Sequence, residues 1–329
     1  MEFRTIIPIK PLDKSIDYNS SILSLGSCFA DNMAKRLSRV KFHITASPTG
    51  ILFNPESIAD AIERFASVAA GNVAMLPKQS DLSKGGDRWF SYDFHSSFSH
   101  SDADMALENM VQGVRAGAKA LDCADTVIIT FGSAFVYRLN SNNKVVANCH
   151  KQPQKLFTKQ LLTADEIANR YIALLNGPLA GKSVIFTVSP IRHIGDGAEL
   201  NSLSKATLRV AIGMITSKVN RAYYFPSYEI MYDELRDYRF YNHDMIHPSD
   251  IAIEYIWQCF AKAAFTDKTR QTIADIEHII KAAEHRPTDP QSAAHRQFCA
   301  SMVKQIEIME SKCNTIDLHK EKEYFNTYL

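Results

Sequence analysis

Short runs that are apolar at nearly every position alternate along this chain with longer stretches that are apolar at every third or fourth position. The runs at 20–25, 41–46, 126–131, 183–188 and 221–225 predict strands. Two of them, Thr126-Val-Ile-Ile-Thr130 and Val184-Ile-Phe-Thr-Val188, are β-branched and apolar throughout, as in strands buried on both faces. Behind residue 27, Phe29, Met33 and Leu37 form a helical stripe with Ala30 and Ala34 beside it. A second stripe is predicted from Leu107, Val111, Val114, Ala118 and Leu121, and Thr163 with Glu166 makes a capping box that opens a third helix. Strand and helix in alternation require a parallel sheet with helical crossovers, so the expected fold is α/β, a three-layer α/β/α sandwich. Past about residue 266 the pattern is helical only, with a break at Pro287 and Pro290. The predicted division is therefore an α/β domain over 1–265 and a C-terminal helical extension over 266–329. Residues 84–100 and 138–160 read as long polar and aromatic connections, which in such folds tend to be functional. No internal repeat or low-complexity tract is present.

Composition narrows the class without naming a chemistry. With 329 residues and 46% hydrophobic content, the chain can bury a full core. A net charge of +1 points to neither nucleic acid nor an anionic membrane as partner. No run of about 18 apolar residues exists to span a membrane. The first residues carry a charge on each side of Phe3 and no apolar h-region, so no secretory leader is expected. The six cysteines (Cys28, Cys123, Cys149, Cys259, Cys299, Cys313) lack Cys-x-x-Cys spacing and read as reduced, mostly buried thiols of a cytoplasmic protein.

Candidate chemistry begins where the first strand meets its helix. Ser27 follows Gly26 at the carboxyl end of a strand and the amino end of a helix, where free N–H groups and the helix dipole favour negative charge. A serine there can serve as a nucleophile, with its own N–H as an oxyanion donor, or simply as a helix cap. Far downstream, Asp244 and His247 form Asp-x-x-His. On one turn the carboxylate reaches Nδ1 of the imidazole and leaves Nε2 free to accept a proton.

The segment Gly26-Ser27-Cys28-Phe29-Ala30 resembles the signature of the GSCFA-domain family, a branch of the SGNH/GDSL-type hydrolases. Ser47-Pro48-Thr49-Gly50, Trp89-Phe90-Ser91-Tyr92-Asp93-Phe94-His95, Ala147-Asn148-Cys149-His150-Lys151 and Ser189-Pro190-Ile191-Arg192-His193 also look like this family. The resemblance covers roughly residues 1 to 265. It implies a flavodoxin-like sheet and a triad in the order Ser27, Asp244, His247. In many members of the parent superfamily the block after the third strand is Gly-x-Asn-Asp, whose Asn amide completes the oxyanion hole. Here Ala134 stands at the Asn position, so that donor is expected from elsewhere.

In open α/β sheets ligands bind outside the carboxyl ends of the strands, which selects the remaining candidates. Gly50 is expected either as a second backbone oxyanion donor or as part of a turn with Pro48 at its second position. Asn148 is the first choice to replace the missing amide and His150 the second. His193 lies just past a strand, and His95 follows aromatic residues that can line an acyl pocket. Cys28 adjoins Ser27, but its side chain should point away from the turn. His150, His193, His243 and His247 offer no helical His-x-x-x-His or Cys-rich spacing, and no Gly-x-Gly-x-x-Gly or Walker loop follows a strand, so no metal, cofactor or nucleotide is expected. The expected activity is a serine hydrolase or acyltransferase acting on a small-molecule or glycan-linked acyl ester. The alternative, kept open by Ala134, is a catalytically silent binding protein.

Overall fold

In the computed structural model, which describes residues 4–329, the first apolar run becomes strand β1 (Ser21–Gly26) and the stripe behind it helix α1 (Cys28–Arg39). The charge pattern around Phe3 lies outside the described residues. β2 (His43–Ala46) follows, shorter than expected because Lys41 turns the chain with φ 67°. Asn54 caps α2 (Pro55–Ala69) by accepting from Ser57 N–H, with proline at the first turn where no N–H is needed. Next come a small hairpin, β3 (Ser83–Gly85) and β4 (Arg88–Phe90), and the long helix α3 (Ala103–Cys123). β5 (Thr126–Phe131) leads into an antiparallel ribbon of β6 (Phe135–Leu139), β7 (Val145–Val146) and β8 (Phe157–Leu161). The two stretches expected as connections thus contain the hairpin and the ribbon. Their strands are too short to announce themselves by alternation.

The capping box of Thr163 and Glu166 opens α4 (Ala164–Asn176), followed by β9 (Ser183–Val188), α5 (Ala198–Lys218) and β10 (Ala222–Tyr224). A single turn α6 (Ser227–Glu229) runs into a π-helical segment, Ile230–Leu235. α7 (Asp250–Ala264), α8 (Asp267–Glu284), α9 (Ala293–Lys312) and α10 (His319–Asn326) complete the chain. Among the described residues no helix is long and apolar enough to cross a membrane.

The central sheet is parallel, in the order β10-β9-β5-β1-β2. Successive residues of a strand face opposite sides, and the chain uses this to build two cores. Leu23, Leu25, Val127, Ile129, Val184 and Phe186 enter one core, together with residues of α2 to α5. Ile22, Ile128 and Ile185 enter the other, with α1 and α7. The helices after residue 266 share that second core. Ile276, Cys299, Met302 and Phe325 cluster with Tyr18, Phe42 and Trp257.

One stripe is corrected. The buried face of α3 is Ala106, Met110, Gly113, Val114, Gly117, Ala118 and Leu121, while Leu107 and Val111 are only partly covered. The cause is close packing at the two glycines. A Cβ on Gly117 would lie 2.4 Å from the Phe65 ring, and one on Gly113 would lie 2.5 Å from the Pro48 carbonyl. The helix is therefore turned to face α2 by residues that a hydrophobicity pattern ignores.

β1 has β2 on one side and β5 on the other: α1 leads out to β2, and the chain then returns past β1 through α2 and α3 to β5, so the strand order reverses at β1. In open α/β sheets such a reversal point, at the carboxyl ends of the strands, is where ligands bind. Gly26 ends β1 with φ 136°, and a Cβ there would meet the Thr130 carbonyl oxygen at 2.2 Å. Gly26→Ala is expected to cost at least about 3 kcal/mol, from strain and main-chain displacement together. Urea unfolding checks this; an unchanged midpoint would mean that β1 and β5 part easily.

Candidate active site

Ser27 occupies the N-cap position of α1 with extended backbone (φ −74°, ψ 173°), but its side chain makes no capping bond. The hydroxyl is fully buried and has no hydrogen-bond partner. An unpaired buried hydroxyl costs about 1–3 kcal/mol, so a different use for it is indicated. The main-chain N–H of Ser27 donates to Thr130 O at 3.2 Å. The N–H of Gly50 donates to Ser47 O at 2.7 Å, closing a turn through Pro48 and Thr49. Both N–H groups expected as oxyanion donors are therefore already engaged, and residues 47–50 form the turn alternative. Gly50 is required for another reason. Its φ is 82°, and a Cβ would lie 2.3 Å from His95 Cβ.

Asp244 and His247 meet as their spacing predicts. Asp244 Oδ2 accepts from His247 Nδ1 at 2.6 Å, while Oδ1 accepts main-chain N–H groups of Ile246 (2.9 Å) and His247 (3.0 Å). These bonds, led by the His247 main-chain N–H, hold the Asp244 carboxyl down at about 2. Both side chains remain open to solvent, at 45% and 42% exposure. The loop is pinned from the segment after β9: Arg192 N–H donates to Ile246 O at 3.1 Å and its guanidinium to Met245 O at 2.9 Å. That guanidinium also lies over the Tyr238 and Tyr241 rings. No hydrogen bond joins Ser27 Oγ to His247 in this state.

His193 also has a buried atom without a partner: its Nε2 is enclosed and unbonded. Burial first, then the charges of Lys205 and His247, push its pKa down to about 3, so the ring is neutral at ordinary pH. It stands edge-on to Phe53 at 5.7 Å, and its main-chain N–H is held by Asn201 Oδ1 at 2.9 Å. His193 and Asn148 line one cavity of about 370 Å³ with Phe53, Ser133, Phe135 and Lys159. His150 is employed differently. Its Nε2 faces the carbonyls of Ser91 (2.9 Å) and Phe94 (3.1 Å), and its ring stacks on Phe90 at 4.3 Å. His95 pairs through Nδ1 with Ser97 Oγ at 3.0 Å and lines a separate cavity of about 530 Å³ with Gly50, Asp31 and Phe98. Burial raises the Cys28 thiol, which makes it a poor nucleophile. Among the described residues no group of three or more His, Cys, Asp or Glu is placed to hold a metal.

Sequence reading missed Lys205. It sits in the buried stripe of α5 with Leu208, Ile212 and Ile215, and only 1% of it is exposed. A lysine at helical spacing within an apolar stripe was the available signal. The neighbouring Ser204 Oγ accepts the N–H of Ala134 at 2.8 Å.

A carboxyl whose folded pKa is depressed stabilises the fold above its unfolded value, and loses that contribution as pH falls through the folded one. For Asp244 the window runs from 3.8 down to about 2. The Asp244 Cγ resonance should titrate near the lower figure. In His247→Ala the midpoint should rise without reaching 3.8, because the main-chain donors remain. A wild-type midpoint at 3.8 would show that the loop does not hold this geometry in solution.

The GSCFA family model matches residues 21–260, from β1 through most of α7, and a model described as the C-terminal domain of GSCFA domain proteins matches residues 276–329. No curated protein and no solved structure matches the chain. The match spans Ser27, the Asp244–His247 pair and every strand of the central sheet, and the chain belongs to the GSCFA family.

Proposed function

We propose that this protein is a serine hydrolase or acyltransferase of the SGNH type, acting on a small-molecule or glycan-linked acyl ester. The observation that carries this is the Asp244–His247 pair. Asp244 holds Nδ1 at 2.6 Å and accepts two further main-chain N–H groups, so it stays ionised and fixes the imidazole tautomer. Ser27 Oγ would form the new bond to the acyl carbon while His247 Nε2 takes its proton. Collapse then expels the alcohol, which recovers that proton, and water or a second alcohol releases the acyl group from Ser27 by the same steps in reverse. Productive contact requires Ser27 and His247 to close together around substrate, since such bonds are often stretched in the free enzyme.

The oxyanion donors differ from those first expected. The opening N–H groups of α1 beside Ser27 are of the kind a helix leaves unpaired. The Asn148 amide, lining the cavity with His193, is the side-chain donor of choice. His150 has its outer ring nitrogen between two carbonyls and acts as a brace. A second function, binding without turnover, is favoured by one observation: the Ser27 hydroxyl is enclosed and its N–H is committed to Thr130.

A fluorophosphonate probe separates the two. Labelling at Ser27 is expected, lost in Ser27→Ala and kept in Cys28→Ala. Asp244→Asn should slow turnover of a short-chain ester by on the order of 10⁴-fold. No labelling and no turnover with any such ester would establish the binding protein instead. Asn148→Ala should lower turnover about 10²–10³-fold with the fold intact. His150→Ala should lower the thermal midpoint first, since two main-chain carbonyls lose their partner.

A further inference from the structure

Lys205 carries a charge into a place where the fold has no evident need of one. Its Nζ donates to Gly132 O at 2.7 Å and to Ser189 O at 2.8 Å. Gly132 and Ser189 are the first residues beyond the paired register of β5 and β9, which ends at Phe131 and Val188. Among the described residues the ammonium meets these two carbonyls and, at the edge of reach, the Tyr228 ring 6.0 Å away, rather than a carboxylate, and burial pushes its pKa down to about 7. A buried charge costs several kcal/mol, and well-packed apolar side chains commonly replace buried ionic groups without loss of stability. A methionine would fill the same volume within the apolar stripe of α5.

Two chains of main-chain bonds start from the carbonyls that Lys205 holds. One runs from Gly132, whose N–H donates to Phe53 O at 2.8 Å. The adjacent Leu52 N–H donates to Gly26 O at 2.9 Å, next to Ser27. The other runs from Ser189 through Pro190 and Ile191 to Arg192, which grips Met245 and Ile246 between Asp244 and His247. We infer that Lys205 is a positioning residue of this site: by tying Gly132 to Ser189 it sets the Asp244–His247 loop and His193 relative to Ser27. This rests on reading the sheet's carboxyl end as an active site. The same charge helps to keep His193 neutral, alongside burial and His247; the Lys159–Asp196 ion pair lines the same cavity.

The test uses Lys205→Met and Lys205→Arg in the full chain, with three readouts: thermal unfolding, the rate of Ser27 labelling by a fluorophosphonate, and ring ¹⁵N spectra of His193 and His247. Lys205→Met should fold with an unchanged or raised midpoint, yet label on the order of 10- to 100-fold more slowly. In that variant His193 should titrate closer to 6.5. Lys205→Arg keeps the charge but misplaces the donors, so His193 should stay neutral while labelling slows. Wild-type labelling in a folded Lys205→Met, or slowing only in proportion to lost folded protein, overturns the inference. Should Lys205→Met not fold, wild-type labelling in Lys205→Arg overturns it and slowed labelling upholds it. If wild-type Ser27 takes no probe, the hydrolase assignment fails by itself. The ring spectra then decide: unchanged His193 and His247 signals in the variants overturn the role of Lys205, and shifted signals uphold it.

Discussion

The approach of β1 to β5 at their carboxyl ends is the constraint on which the candidate site depends. Gly26 lies so close to Thr130 that no side chain fits between them, and Ser27 N–H bonds across the same gap. The strand order reverses at β1, the place at which open α/β sheets characteristically bind ligands. A larger residue at position 26 would separate the strands and move Ser27 with them. The glycine therefore serves strand register and turn geometry at once.

Around that gap several local costs fall close together, although unpaired buried atoms also occur elsewhere, as at Ser183 and Arg170. Ser27 Oγ and His193 Nε2 are buried without partners, and Lys205 is buried without a counter-ion. Each is unfavourable alone, and local inconsistencies of this kind concentrate at functional sites. They lie at one end of the sheet, on or behind the ends of β1, β5 and β9. The Asp244–His247 pair is built differently. It is exposed and local, its geometry set by three bonds to one carboxylate within four residues. A rigid floor and a solvent-facing loop thus meet through Arg192.

How much of this was legible follows from the range of each interaction. β5 and β9 were readable to the residue, because buried parallel strands are continuous apolar runs. Strand β2, at the sheet edge and half-buried, was overextended by two residues. The stripe of α3 was misplaced because Gly113 and Gly117 form its contact face, and glycine carries no hydrophobic signal. The Asp244–His247 contact was legible because three-residue spacing dictates it. Sequence ranked Asn148 ahead of His150 by the chemistry of the amide alone; only folding placed one on a cavity and the ring of the other between two carbonyls.

By itself, the sequence determined the alternation of strands and helices, the helical C-terminal part, and the local motifs at Ser27 and Asp244-x-x-His247. These follow from periodicity and from contacts within a few residues, which any compact state of the chain must respect. Tertiary structure alone decided that the N–H groups of Ser27 and Gly50 are engaged, that Nε2 of His193 is enclosed and its ring neutral, and that Lys205 spans two strand ends. Each of these depends on partners that are distant in sequence or on exclusion of water. Neither is written in the spacing of residues; both arise only when β1, β5, β9 and α5 have closed around one another.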